Sequence, residues 1–255
     1  MDWVIGDIHG MSYMLQSLIN NVREKDSDAH LVFVGDYADR GWRSKEVVDI
    51  LLGLDCRTTF LRGNHDDVID FLANGVCECV DGIKECIYGA VESGNVCRWW
   101  MQNGFATTLA SYGIQDTVVK EHSHSEIAEM FRRIIPQEHK RFYRSLRMYW
   151  ESGTHFACHG YYDPTEELPR ELRFTKRAKY FETLWERFSG QEQPVWDKIG
   201  VFGHTPFPSP VFSGNLRLID TGSFLGNAIT AYCCNSDSYM MEQCDSRDFD
   251  TIVVL

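Results

Sequence analysis

No run among the 255 residues approaches the roughly 20 consecutive apolar side chains of a membrane-spanning helix, so no membrane partner is expected. Positive charge is scarce: 25 lysines and arginines stand against 37 aspartates and glutamates, a net charge of −12. A body that acidic excludes a groove for long nucleic acid, though not a small basic pocket. Paired C-x-x-C knuckles are absent. Cys77, Cys79, Cys86 and Cys97 cluster, but without such pairs a structural zinc is a poor reading of them. The cysteines number nine, an odd count, and Trp3-Val4-Ile5 runs straight into a motif with no leader-like segment ahead of it. Free thiols and a reduced, cytoplasmic setting are expected. There is no internal repeat and no low-complexity linker. What remains is a globular composition, 44% hydrophobic and 13% aromatic, long enough for a sizeable core.

The early chain repeats one pattern: a short apolar run, a glycine-bearing loop of acids and imidazoles, then a helix. Trp3-Val4-Ile5 leads into Gly6-Asp7-Ile8-His9-Gly10. Asp7 and His9 are two apart, and in extended backbone they point to the same side, so both can reach one cation. Met11 to Lys25 then has helical spacing at Met14, Leu15, Leu18, Ile19 and Val22. Leu31-Val32-Phe33-Val34 reads as a buried strand that ends in Gly35-Asp36-Tyr37-Ala38-Asp39-Arg40-Gly41. Ser44 is placed to cap a helix through Leu52. Cys56 to Leu61 is a third strand, followed by Arg62-Gly63-Asn64-His65-Asp66-Asp67 and a helix over Val68–Leu72. Any one of these loops reads equally well as a turn with a capping side chain. Three in 72 residues, each ending in ligand-type side chains at a strand's carboxyl edge, do not.

Residues 75–150 carry no metal or phosphate motif. They read as a mostly helical, cap-like insertion in a single domain spanning 1–255. Helices are expected over Ser125–Ile135 and, beyond Pro136, to about Met148. Arg132, Arg133, Lys140, Arg141, Arg144 and Arg147 make this the basic part of the chain, either as a solvated helix face or as a lure for acidic substrates. Thr154 to Cys158 is a strand ended by His159-Gly160, and Arg173 to Phe188 an amphipathic helix. Ile199 to Phe202 is a strand ended by Gly203-His204-Thr205-Pro206. A hairpin joins Val211-Phe212 to Leu216–Ile219, and strands are expected over Ala228–Cys233, Ser238–Glu242 and Thr251–Leu255. Strands alternating with helices early, and hairpins late, predict a mixed α/β fold of two packed sheets with helices outside.

The strand-end donors are Asp7, His9, Asp36, Asn64, His159 and His204. All are oxygen or imidazole ligands, a palette for manganese, iron or zinc. Six exceed what one open catalytic ion needs, and they suffice for two ions sharing a bridging carboxylate, the clamp used for in-line phosphoryl displacement.

Taken in order, Asp7-Ile8-His9-Gly10, Gly35 to Gly41, Arg62 to Asp66, His159-Gly160 and Gly203-His204-Thr205 resemble the blocks of the calcineurin-like metallophosphoesterases. The DRG and RGNH endings resemble the phosphoprotein phosphatase branch. The look is closest to the small phage and bacterial serine/threonine protein phosphatases, with symmetrical diadenosine-tetraphosphate hydrolases as near relatives. The resemblance implies a four-layer αββα sandwich. It also implies two divalent ions, manganese first, with a bridging hydroxide that attacks phosphorus directly. It puts Asp7, His9 and His204 on one ion, Asn64 and His159 on the other, and Asp36 between them. It makes His65, oriented by Asp39, the acid that protonates the leaving oxygen. Arg40, Arg62 and Arg187 would grip phosphate. The implied substrate is a phosphorylated protein at serine, threonine or tyrosine, or a small phosphoester; the alternative is a dinucleoside tetraphosphate. Asp66 stands where that family usually has glutamate, and is expected to fix the loop.

Overall fold

The computed structural model describes residues 1–75, 92–163, 177–192 and 196–249. Two five-stranded mixed sheets lie face to face. The first contains β1 (Asp2–Ile5), β2 (His30–Phe33) and β3 (Thr58–Phe60), all parallel, extended by β9 (Ala228–Cys233) and β10 (Ser238–Gln243) in the order β10-β9-β1-β2-β3. The second has the order β4-β5-β6-β8-β7, from β4 (Tyr149–Glu151), β5 (His155–Cys158), β6 (Ile199–Phe202), β8 (Leu216–Leu218) and β7 (Val211–Ser213). In it β5, β6 and β8 run parallel.

Period-two alternation divides each strand between two environments. Val4, Val32, Ala157, Val201 and Tyr232 meet between the sheets, sealed by Leu61, Trp150 and Ile219. Trp3, Ile5, Leu31 and Phe33 point the other way, under α1 (Ser12–Lys25), α2 (Ser44–Leu52) and α3 (Asn64–Asn74). The predicted face of α1 is the buried one: Met14, Leu15, Leu18, Ile19 and Val22. Such side chains contribute about 1.5–3 kcal/mol each when fully buried. On the second sheet's outer face Phe156, Cys158, Phe202, Leu216 and Leu218 pack beneath Tyr162 and Phe188.

Residues 92–145 fold as α4 (Ser93–Met101), α5 (Phe105–Ser111), α6 (Asp116–Glu121), α7 (His124–Ile134) and α8 (Gln137–Ser145). They share one core with α1–α3 through Trp100, Phe105, Leu109, Phe131 and Phe142. Two of the basic residues point inward here: Arg132 donates to the Leu72 carbonyl and Arg144 to Asp70. The helix predicted to reach Met148 stops at Ser145, because Leu146 turns extended and Arg147 bridges Leu61. Ser44 is not a cap: it is the first residue of α2, after Arg43, and its hydroxyl accepts from the Asp39 N–H instead. The third helix begins four residues earlier than predicted, which sets Asn64 and His65 in its first turn. Of the helix predicted over Arg173–Phe188, Arg177–Trp185 is described as α9. The strand predicted at Thr251–Leu255, and Cys77, Cys79 and Cys86, lie outside the described residues.

Candidate metal centre

Five parallel strands, three from the first sheet and two from the second, aim their carboxyl ends at one place. The residues just past those ends are Asp7 and His9, Asp36, Asn64, His159 and His204, and all six are buried. The backbone there is unusual. Among the described residues six non-glycine positions have positive φ, and five are His9, Asp36, Asp39, Arg40 and His204. Left-handed backbone at such residues costs of order 1–3 kcal/mol each, and the surrounding contacts hold it in place. Glycines give the close approach: a Cβ on Gly63 would sit 2.0 Å from Asp36 Oδ1, and one on Gly203 2.1 Å from Asp7 Oδ1.

Three imidazoles are oriented the same way, one ring nitrogen held by a backbone carbonyl and the other left to the centre. His9 Nδ1 donates to Ala38 O at 2.9 Å, His159 Nδ1 to Val34 O at 3.1 Å, and His204 Nε2 to Trp185 O at 3.0 Å. That is how metal-ligating histidines are tuned. His9 Nε2 lies 3.4 Å from Asp36 Oδ2, and His159 Nε2 lies 3.4 Å from Asp36 Oδ1. Asp36 thus presents one oxygen to each. Ligating atoms of His9, Asp36 and His65 lie within 4.8 Å of one another, and so do those of Asp36, His159 and His204. His159 Nε2 is also 3.1 Å from Asn64 Oδ1.

The resemblance implied another division, with His204 beside Asp7 and His9. His204 falls with His159, their rings 4.9 Å apart, and not with His9. Asp7 accepts the His204 backbone N–H at 3.0 Å.

Asp39 is fully enclosed. It accepts from His65 Nδ1 at 2.8 Å, Trp100 Nε1 at 2.6 Å and Thr108 Oγ1 at 2.6 Å. Its carboxylate orients the His65 ring and leaves Nε2 toward the centre. Trp100 and Thr108 have no local signal in the sequence; they come from helices 61 and 69 residues downstream. Asp66 accepts the N–H groups of Asp36, Tyr37 and Gly63 at 2.7, 3.0 and 2.9 Å, so the loop-fixing role read from the sequence has a geometric basis.

The arginines divide. Arg40 Nη1 lies 3.1 Å from His9 Nε2, and its guanidinium rests 4.1 Å from the Phe224 ring centroid. Exposed Arg187 is near enough to His204 for its charge to be felt there, and it lines a cavity of about 320 Å³ with Tyr161, Phe181, Glu182 and Glu186. Arg62 is a correction. Its guanidinium is buried away from the centre, with Nη1 on Asp67 and Asp70 at 3.0 Å and Nη2 on the Tyr143 carbonyl at 2.8 Å. Two carboxylates inside α3 outcompete the loop for that charge.

Burial is the leading influence on the titrating groups. It raises Asp7 well above the carboxylate range, with Asp220 adding to it, and it raises Asp66 to about 7 and Asp220 to about 6. Burial also pushes His204 down to about 3 and His9 well below its ordinary value. On Asp36 burial loses to the neighbouring imidazoles, His159 first, which hold the carboxyl low. On His159 burial loses to Asp36, and the ring rises to about 9. The field that holds a proton on His159 is one a divalent cation would answer. Carboxylates raised by burial, and imidazoles pre-aimed at one carboxylate, suit a dinuclear centre. Asp220, just past β8, belongs to this acidic floor.

Residues 3–223 match the family model of the calcineurin-like phosphoesterases, and the chain belongs to that family. It is a hydrolase of the metallophosphoesterase class, whose members use a dinuclear metal centre. It is 26% identical over 251 residues to bis(5'-nucleosyl)-tetraphosphatase PrpE (asymmetrical) of Anoxybacillus flavithermus, across 89% of this chain and 88% of that one. Its fold is similar to that of a candidate diadenosine tetraphosphatase (TM-score 0.59, 17% identity, 96% of this chain and 93% of that one). It is also similar to the cold-active protein-tyrosine phosphatase of a psychrophilic Shewanella species (TM-score 0.54, 14% identity, 95% and 80%). At those identities the two structural likenesses speak for the fold alone.

Proposed function

We propose that the protein hydrolyses phosphoesters and phosphoanhydrides at a two-ion centre, and that dinucleoside tetraphosphates are its best-supported substrates. The observation that carries the centre is Asp36, one oxygen toward His9 and the other toward His159. Asp7, His9 and Asp36 would hold one ion; Asp36, Asn64, His159 and His204 would hold the other. Manganese fits this mixed oxygen and imidazole set, with iron or zinc as replacements. When bound, the ions supply an activated water and neutralise the phosphoryl oxygens. Arg40 and Arg187 flank the centre and orient phosphate through forked donors. His65, its Nδ1–H held by Asp39, gives the Nε2 proton of its imidazolium form to the leaving oxygen and is left as the neutral ring.

The tetraphosphate reading rests on the relative that is 26% identical along nearly the whole chain. A specific observation favours a second reading. An oriented acid matters most for alkoxide leaving groups, and His65 is built as one, which suits phosphoserine or phosphothreonine. Turnover of diadenosine tetraphosphate and of a phosphoserine peptide by manganese-loaded protein separates them. Chromatography of the nucleotide products then reads which anhydride breaks: two ADP for symmetrical cleavage, ATP plus AMP for asymmetrical. Turnover of neither, with two ions bound, would defeat both readings.

A further inference from the structure

Beside the centre runs a short ladder of aromatic rings that the chemistry above does not use. Phe181 stacks on Trp185 with centroids 5.6 Å apart and planes 11° from parallel. Trp99 lies on Trp185 at 5.5 Å and 31°. Burial of apolar surface does not explain the outer two, since Trp99 and Phe181 are each 43% exposed. The ladder is tied to the centre at both ends. Trp99 touches Trp100 at 5.1 Å, and Trp100 holds Asp39 and packs against His65 at 4.7 Å. The Trp185 carbonyl fixes His204. Phe181 then opens onto the cavity that holds Arg187.

Rings left in the open next to a phosphoryl site offer π-faces to a planar group. We propose that Trp99 and Phe181, braced by Trp185, form a stacking site for the nucleobase of a nucleotide whose phosphate chain runs past Arg187 into the centre. This deepens the tetraphosphate reading and rests on it for the identity of the substrate. Stacking favours a base over an aliphatic ester because every base has a flat π-face, and a guanidinium at the ladder's edge adds to the attraction. It is indifferent to which base is offered, so adenine and guanine nucleotides should bind alike.

The test has two arms. In the first, AMP is titrated into the metal-loaded protein and tryptophan fluorescence is followed. Quenching is expected, with the apparent dissociation constant weakened about tenfold or more in Trp99→Ala and in Phe181→Ala, and restored in Trp99→Phe. Both side chains are half in solvent, so circular dichroism should match the parent. In the second, the ratio of kcat/KM for diadenosine tetraphosphate to that for glycerol 2-phosphate should fall by a similar factor in the alanine variants, carried by KM. Unaltered AMP affinity in both alanine variants would overturn the stacking site, whatever the enzyme hydrolyses. A parent that binds AMP through these rings yet leaves the tetraphosphate intact would defeat the substrate reading and leave a mononucleotide site standing.

Discussion

Asp36 is the side chain on which most of the centre turns, because both of its oxygens face an imidazole. Asp36→Asn should abolish phosphatase activity and bring bound manganese from two ions toward one or none, read by elemental analysis of the purified variant. Full activity at unchanged metal content would remove it from the bridging position. His65 makes a separable contribution. His65→Asn should slow turnover by about 10²–10⁴, the usual worth of a positioned acid. The loss should be greater for alkyl phosphates than for p-nitrophenyl phosphate, whose leaving group hardly needs a proton. Equal losses on both would take the proton-donor role from it. These residues were legible in the sequence because each stands at the end of an apolar run. Which imidazole sits with which was not legible, since strand order and ring rotation decide it. That is why His204 joins His159.

Among elements, the strands and helices of the first 72 residues were legible from periodicity, apart from the first turn of α3. β4, a three-residue strand at a sheet edge, was not. Arg62 shows the limit of a motif at this scale: it gives a residue type at a position, and packing decides where the guanidinium goes. Its place beside Asp67 and Asp70 makes it part of the joint between α3 and α8. Arg62→Met should therefore destabilise the fold by about 3–5 kcal/mol in denaturant unfolding, the cost of leaving buried charge unmatched. A variant that kept parent stability while KM for phosphate esters rose would return Arg62 to the substrate. His139 joins α8 to α2. Its Nδ1 accepts from the Tyr112 hydroxyl and its Nε2–H donates to Asp49. Burial outweighs Asp49 and holds its pKa below the ordinary 6.5. The unfolded chain therefore takes up that proton more readily. The stability this histidine contributes is complete above pH 6.5 and drains away as pH falls below it. Thermal melts from pH 7.5 to 5.5 should show a steeper fall for the parent than for His139→Gln; parallel slopes would refute the linkage.

At the scale of the molecule, candidate ligands from two sheets close on one acidic floor, so bound cations would act as a clasp between the layers. Metal bound only by the folded state adds RT ln(1 + [M]/Kd), about 2.7 kcal/mol at a hundredfold excess over Kd. For a chain of this length that corresponds to a rise of roughly 5–10 °C in Tm when manganese is returned to stripped protein, reversed by EDTA. A melting point indifferent to manganese would mean that the cluster does not hold ions. The two-sheet architecture was legible from the alternation of elements. The contribution of α4 and α5 to the centre was not, because Trp100 and Thr108 reach Asp39 only through tertiary packing.

The twisted backbone at His9, Asp36, Asp39, Arg40 and His204 also bears on anyone wishing to transplant this chemistry. Copying the side chains onto an idealised scaffold would splay them, because ordinary loops do not make such corners. The graft has to import the contorted main chain, together with the glycines and the carboxylate that keep it bent.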